Sequence, residues 1–302
     1  MKLTRSRNRL RIWCLAGTTL VIALSANVVA LSAVGAAPSA PYFYLAIGAS
    51  ESLGFQPTPD EPRGEPTVDG YANDLLAYEA ARGISLDLTQ TGCPGETLTT
   101  MLSGNDHCYD GLDTQLATDM NFLSQHANEQ GIVTIDLGFN DVRLCLRHRS
   151  DADGRCVQRQ LELVRDDLTM IVESLKSVAG PGVTFIGLGH YDPYLADEIL
   201  NGARGADFAA HSERVINRLN GELQYVYSSE GVPMADVDSY FDGKDRVPIA
   251  VAGLGTVPTN VAQICDLTWM CAPAPDGPNF HPDAEGYTII AQAIEGALSA
   301  PW

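Results

Sequence analysis

Positive charge is scarce in this 302-residue chain: 19 lysines and arginines stand against 38 aspartates and glutamates, for a formal net charge of −19. Five of the cations, Lys2, Arg5, Arg7, Arg9 and Arg11, crowd into the first eleven residues. Without them, 14 basic side chains face 38 acidic ones, a formal charge of −24. A body so poor in cations repels phosphate backbones and anionic bilayers, so nucleic acid is excluded as a partner. Metal-ligand spacings are also missing. Neither Cys-x-x-Cys nor His-Glu-x-x-His occurs, so no metal is expected. Gly187-x-Gly189 is too short a glycine pattern to cradle a dinucleotide or phosphate, and no cofactor is expected. Gly-x-Ser-x-Gly is absent, which argues against a nucleophile elbow of the α/β-hydrolase kind. No internal repeat or low-complexity linker divides the chain.

The five early cations form the basic n-region of an export leader. An apolar run from Ile12 to Leu31 follows, and Val34-Gly35-Ala36 has the small-x-small pattern of a cleavage site, so residues 1–36 are expected to be removed after Ala36. Ser25, Asn27 and Ser32 dilute the apolar run and no positive cluster follows it, which disfavours a retained membrane span. The product is expected outside the cell as one domain, residues 37–302, acting as a monomer. Cys14 leaves with the leader. Six cysteines remain, an even number suited to disulfides in an exported chain. Fifteen connectivities are open, and the spacing favours neighbours: Cys93–Cys108, Cys145–Cys156 and Cys265–Cys271.

Short apolar runs alternate with longer amphipathic ones. Strands are expected at Tyr42–Gly48, Ser85–Thr89, Ile132–Leu137, Val183–Leu188 and Pro233–Val237. Helices are expected at Tyr71–Arg82, Leu112–His126, Arg159–Val178, Ala206–Ser229 and Pro282–Leu298. Strands interleaved with helices imply a parallel sheet covered on both faces, and five of them suit a flavodoxin-like three-layer α/β/α sandwich. Two long segments read as irregular, residues 56–70 and 238–280. The second carries Val247, Ile249, Leu254, Trp269 and Met270, and is expected to wall a substrate cleft.

The run Tyr42 to Gly48 ends at Gly48-Ala49-Ser50, which leaves a serine at the carboxyl end of a buried strand, where open α/β sheets bind ligands. Taken alone, such a serine is a helix cap. Three further segments follow strands or stand late in the chain: Gly92-Cys93-Pro94-Gly95-Glu96-Thr97, Gly138-Phe139-Asn140-Asp141 and Pro278-Asn279-Phe280-His281-Pro282. Singly, Gly95 reads as a turn glycine, Asn140 as a cap and His281 as the neighbour of a helix start.

In this order the four segments resemble the blocks of the SGNH (GDSL) hydrolases, and the resemblance spans nearly the whole chain after the leader. It implies that Ser50 is the nucleophile, His281 its base, and the Ser50 and Gly95 amides with the Asn140 side chain an oxyanion hole. Two positions depart from the pattern. Ala49 replaces the acid before the serine, and Pro278 occupies the place of the acid three residues before the histidine. The imidazole Nδ1–H is left with three candidate acceptors: Asp276, the Asn279 side chain, or the Pro278 carbonyl, which is preferred here with Asp276 as its rival. His190, after another strand, is read as structural or cleft-lining. The expectation is a secreted serine esterase or lipase acting on small-molecule or lipid carboxylic esters through an acyl-enzyme intermediate. An acetyl-esterase on polysaccharide or an acyltransferase would use the same fold. A non-catalytic binding domain on an inactive scaffold is the alternative from another class.

Overall fold

The computed structural model describes residues 42–104, 107–109, 113–147 and 154–298. The leader expected over residues 1–36 lies outside them. The chain runs β1 (Tyr42–Gly48), α1 (Tyr71–Ala81), β2 (Leu86–Gln90), α2 (Leu98–Ser103), α3 (Gln115–Gln125), β3 (Gly131–Asp136), α4 (Phe139–Arg147) and α5 (Arg155–Val178). It continues through β4 (Val183–Leu188), α6 (Asp197–Leu200), α7 (Gly202–Ser229), β5 (Met234–Ala235), α8 (Val237–Tyr240), β6 (Pro248–Val251), β7 (Gly255–Pro258), α9 (Thr259–Leu267) and α10 (Ala284–Ala297). Single 3-10 turns occupy Glu51–Leu53, Pro193–Ala196 and Trp269–Cys271.

Five parallel strands pair in the order β2-β1-β3-β4-β5. Alternate side chains of each strand feed opposite faces. Phe43, Leu45, Ile47, Val133 and Ile135 pack with α2, α3, α4, α5 and α7. Tyr44, Ala46, Ile132, Ile186 and Leu188 pack with α1, α8, α9 and α10. The two apolar layers give the expected α/β/α sandwich. Because the strand order reverses between β1 and β3, a crevice opens outside their carboxyl ends, the switch point where such sheets bind ligands. Ser50 follows β1 and Asn140 follows β3, so the topology brings them to one crevice. Among the described residues, no helix is long and apolar enough to cross a membrane.

Several elements depart from expectation. Strand β5 is two residues long, an edge strand pairing only at Gly187↔Met234 and Leu188↔Ala235. Residues 238–280 are not irregular. They hold the β6-β7 hairpin, with Ile249 opposite Val257, and the helix α9, whose Val261, Ile264 and Leu267 are buried in the second core. Residues 56–70 are short on regular structure but fixed: Gln56 pairs with Glu65, and its Nε2 donates to Thr67 Oγ1 and the Asp69 carbonyl, each at 3.0 Å.

Candidate active site

The end of β1 is shaped by a close approach that only glycine permits. Gly48 has φ +151°, and a Cβ there would stand 2.5 Å from the Asp136 carbonyl oxygen, so the strand can turn off the sheet against β3. Ser50 then opens the 3-10 turn Glu51–Leu53 but makes no side-chain capping bond, which removes the helix-cap reading of this serine. Its Oγ lies 2.9 Å from His281 Nε2. The serine and the histidine are 231 residues apart in the chain and 7% and 5% exposed, respectively.

The imidazole is held from its other side by Asn279. The Asn279 side-chain oxygen is 2.7 Å from His281 Nδ1 and also accepts from the His281 backbone N–H at 3.1 Å, while its Nδ2 donates to the Arg63 carbonyl at 3.3 Å. An amide oxygen only accepts, so Nδ1 carries the proton and Nε2 presents its lone pair to the Ser50 hydroxyl. This corrects the preference for the Pro278 carbonyl, and for Asp276 as its rival, because Nδ1 is already taken by the side chain between Pro278 and Phe280. Burial, and after it the positive charge of Arg143, lower the His281 pKa to about 3, so the ring is neutral at pH 7, as a proton acceptor must be.

The segment bearing His281 is braced by backbone bonds. Trp269 N–H donates to the His281 carbonyl at 3.1 Å and Asn279 N–H to the Trp269 carbonyl at 3.0 Å. Thr268 bridges Pro282, and the Cys265–Cys271 disulfide ties α9 to the turn that contains Trp269. Asp283 then caps α10, its carboxylate accepting from Gly286 N–H at 2.9 Å. The Phe55 ring, with its centroid 4.9 Å away, packs against the imidazole.

Asn140 is the second residue of α4 and is 8% exposed. One hydrogen of its Nδ2 goes to the Glu96 carbonyl at 3.0 Å; a primary amide has two, so the other remains available to a ligand. Gly95 turns with φ +84°, where a Cβ would meet no neighbouring atom, so its demand for glycine is conformational. The Asp141 carboxylate accepts from Leu98 N–H, Cys93 N–H donates to the Gly48 carbonyl at 3.1 Å, and Gln115 Nε2 donates to the carbonyls of Gly48 and Thr91. These bonds lock the segment around Gly95 to the end of β1 and to α4. Disulfides Cys93–Cys108 and Cys145–Cys156 fix the same turn and α4, so all three neighbour pairings expected from spacing are present.

His190 is not paired with Ser50. Its Nε2 is 3.0 Å from the Leu137 carbonyl, its pKa is lowered to about 4 by burial, and its Nδ1 faces Asp136. Phe280 borders both the small cavity at Ser50 and a larger one of about 530 Å³, lined further by Arg143, Tyr194, Asp197, Leu200, Asn201, Met270, Ala272 and Pro278. Of the apolar residues expected to form the cleft wall, Met270 lines this cavity. Ile249 and Leu254 border a different one, together with Cys265 and Cys271, so the hairpin is not the wall of the Ser50 crevice. Arg143 was not foreseen, although it lies one helical turn beyond Asn140; its guanidinium sits 4.1 Å over the Phe280 ring and donates to Tyr194 Oη at 3.3 Å.

No family model and no curated protein matches the chain. Solved structures do. A phospholipase A1 from Streptomyces albidoflavus is similar with a TM-score of 0.56 and 17% identity, covering 86% of this chain and all of its own. An extracellular lipase from Streptomyces rimosus follows at 0.55 and 17%, covering 85% of this chain and all of its own. The chain shares the fold of these two enzymes. A lipase from a goat rumen metagenome is similar as well, at a TM-score of 0.53 and 15% identity, covering 85% of this chain and 97% of its own.

Proposed function

We propose that the chain is a secreted serine esterase or lipase that hydrolyses carboxylic esters through an acyl-enzyme intermediate. The observation that carries this reading is the aligned set Ser50 Oγ, His281 and Asn279 Oδ1, joined at 2.9 and 2.7 Å. Ser50 attacks the ester carbonyl as its proton passes to His281 Nε2. Negative charge then develops on the carbonyl oxygen, where the Ser50 and Gly95 amides and the free hydrogen of Asn140 Nδ2 receive it. The imidazolium returns its proton to the leaving alkoxide. Water, deprotonated by the same nitrogen, releases the acid and restores Ser50. Asn279 holds the ring throughout; being neutral, it stabilises the imidazolium less than a carboxylate would.

The cavity beside Phe280 supports acyl chains of several carbons over acetate, since Leu200, Met270 and Phe280 give it apolar walls. Each buried methylene contributes about 0.8 kcal/mol, at most about fourfold in kcat/KM. Export is supported by the leader pattern and by three disulfides, which persist in oxidising surroundings. A series of p-nitrophenyl esters tests the substrate reading, with kcat/KM expected to rise several-fold from acetate to butyrate. Flat rates together with acetate release from xylan would favour the polysaccharide acetyl-esterase; absence of any turnover would favour the binding module.

A further inference from the structure

Behind Ser50, three ionisable groups converge that the hydrolytic reading does not use. Glu51, Asp136 and His190 each offer one ligand atom, and these atoms lie within 4.8 Å of one another. They come from three places in the fold: the turn after β1, the last residue of β3 and the loop after β4. His190 Nδ1 stands 3.8 Å from Asp136 Oδ1. All three line the cavity of about 10 Å³ under the serine, a space for one water or a smaller ion.

Three features of this cluster call for a cation. First, the His190 tautomer is fixed. Its Nε2 faces the Leu137 carbonyl, which only accepts, so Nε2 is protonated and the Nδ1 lone pair points at a carboxylate. A ring nitrogen bonded to a backbone carbonyl, with its partner nitrogen bare, is the usual state of a metal-bound histidine. Second, Asp136 is 3% exposed and its Oδ2 has no hydrogen-bond partner among the described residues, an oxygen whose burial needs compensation. Third, among the described residues no lysine or arginine pairs with the group. Glu51 has the Tyr191 hydroxyl at 3.1 Å, and that hydroxyl also lies 2.8 Å from the Phe280 carbonyl; one O–H cannot serve both acceptors at full strength.

We infer that Glu51, Asp136 and His190 bind one divalent transition-metal cation, zinc foremost, that clamps the Ser50 turn to the ends of β3 and β4. One imidazole with two carboxylates suits zinc or manganese; calcium prefers oxygen alone. Ligand distances near 2.1 Å require the three atoms to close in by less than an ångström or so. The site escapes a search for ligand motifs because its members are 51, 136 and 190 in sequence and meet only through strand order. It stands independently of the hydrolase reading, since a clamp can serve an inactive scaffold equally.

Metal analysis of the purified full-length protein, expressed with zinc and manganese supplied and dialysed against metal-free buffer, is expected to find close to one zinc per chain. Removal with a strong chelator should lower Tm by roughly 5 °C or more, and zinc, not magnesium or calcium, should restore it. Glu51→Gln, a near-isosteric change, should reduce the bound zinc at least tenfold while circular dichroism stays that of the parent; His190→Ala should abolish it. Protein free of stoichiometric metal with a Tm indifferent to chelator and zinc overturns the site, as does undiminished zinc in Glu51→Gln.

Discussion

Replacing Asn279 with alanine probes the least expected contact in the site. The Asn279 oxygen accepts from His281 Nδ1 at 2.7 Å, and in the transition state that bond becomes charge-assisted as the ring gains a second proton. A hydrogen bond to a charged group is worth about 1.5–3 kcal/mol, and about 1.36 kcal/mol is tenfold in rate, so kcat should fall roughly 10- to 150-fold. KM should change little, because the contact strengthens only after substrate is bound. Asn279→Asp sharpens the test. A carboxylate in this position raises the His281 pKa from about 3, so the acid limb of the pH–rate profile should move upward. The gain is offset by a carboxylate oxygen facing the Arg63 carbonyl where Nδ2 now donates at 3.3 Å. The assay is steady-state hydrolysis of p-nitrophenyl butyrate from pH 4 to 9, with Tm recorded for each variant. Asp276→Ala, in parallel, should cost less than about tenfold. Asn279→Ala within twofold of wild type, together with a loss on the order of 10⁴ in Asp276→Ala, would refute the orientation described here.

Other outcomes follow from the same geometry. Asn140→Ala should lower kcat by roughly 10²–10³ with KM held, since Nδ2 donates to charge that exists only in the transition state; an effect on KM alone would contradict this. Arg143→Gln should raise the acid limb of kcat/KM, because the Arg143 charge is the second cause, after burial, of the lowered His281 pKa; an unmoved limb would exclude that coupling. Burial, aided by Glu96, raises the Asp119 pKa to about 8. The folded state then holds a proton that the unfolded chain releases above about pH 4, so stability is lost as pH rises toward 8, by up to about 1.4 kcal/mol per unit. Asp119→Asn should therefore gain in Tm over wild type between pH 5 and 8; a constant difference would be the contrary result. Thiol titration of the denatured, non-reduced protein after leader removal should find no free cysteine, and two or more would break the disulfide framework.

Much of this architecture is legible in the sequence where burial is continuous. β1 and β4 have the limits expected, because YFYLAIG and VTFIGL are apolar runs bounded by turn residues. Helices α2 and α4 escape notice. Each starts directly after a glycine-bearing segment, and each is too short to show a clear helical period, burying only Leu98 and Met101 in α2 and Phe139, Val142, Cys145 and Leu146 in α4. The hairpin and α9 hide for a different reason: proline and glycine at Pro248, Gly253, Gly255 and Pro258 read as loop, although they punctuate two short strands and open a helix. In the site, block order identifies Ser50, Gly95, Asn140 and His281 as candidates, and the structure brings the serine, asparagine and histidine to one crevice. The partner of Nδ1 depends on a side-chain turn between Asn279 and His281, two residues apart, a matter of ångströms that spacing does not encode. Arg143 and the Glu51–Asp136–His190 cluster depend likewise on helix pitch and strand order rather than on adjacency.

Everything proposed for catalysis depends on Ser50 being a nucleophile activated by His281. Reaction of the native protein with a fluorophosphonate probe, followed by digestion and mass spectrometry, tests it without reference to the natural substrate. A serine activated by His281 should give one adduct per chain, on Ser50, lost in both Ser50→Ala and His281→Ala variants that retain the wild-type Tm. A folded wild-type protein that takes up no probe, or an adduct on any other residue that persists in Ser50→Ala, would contradict it.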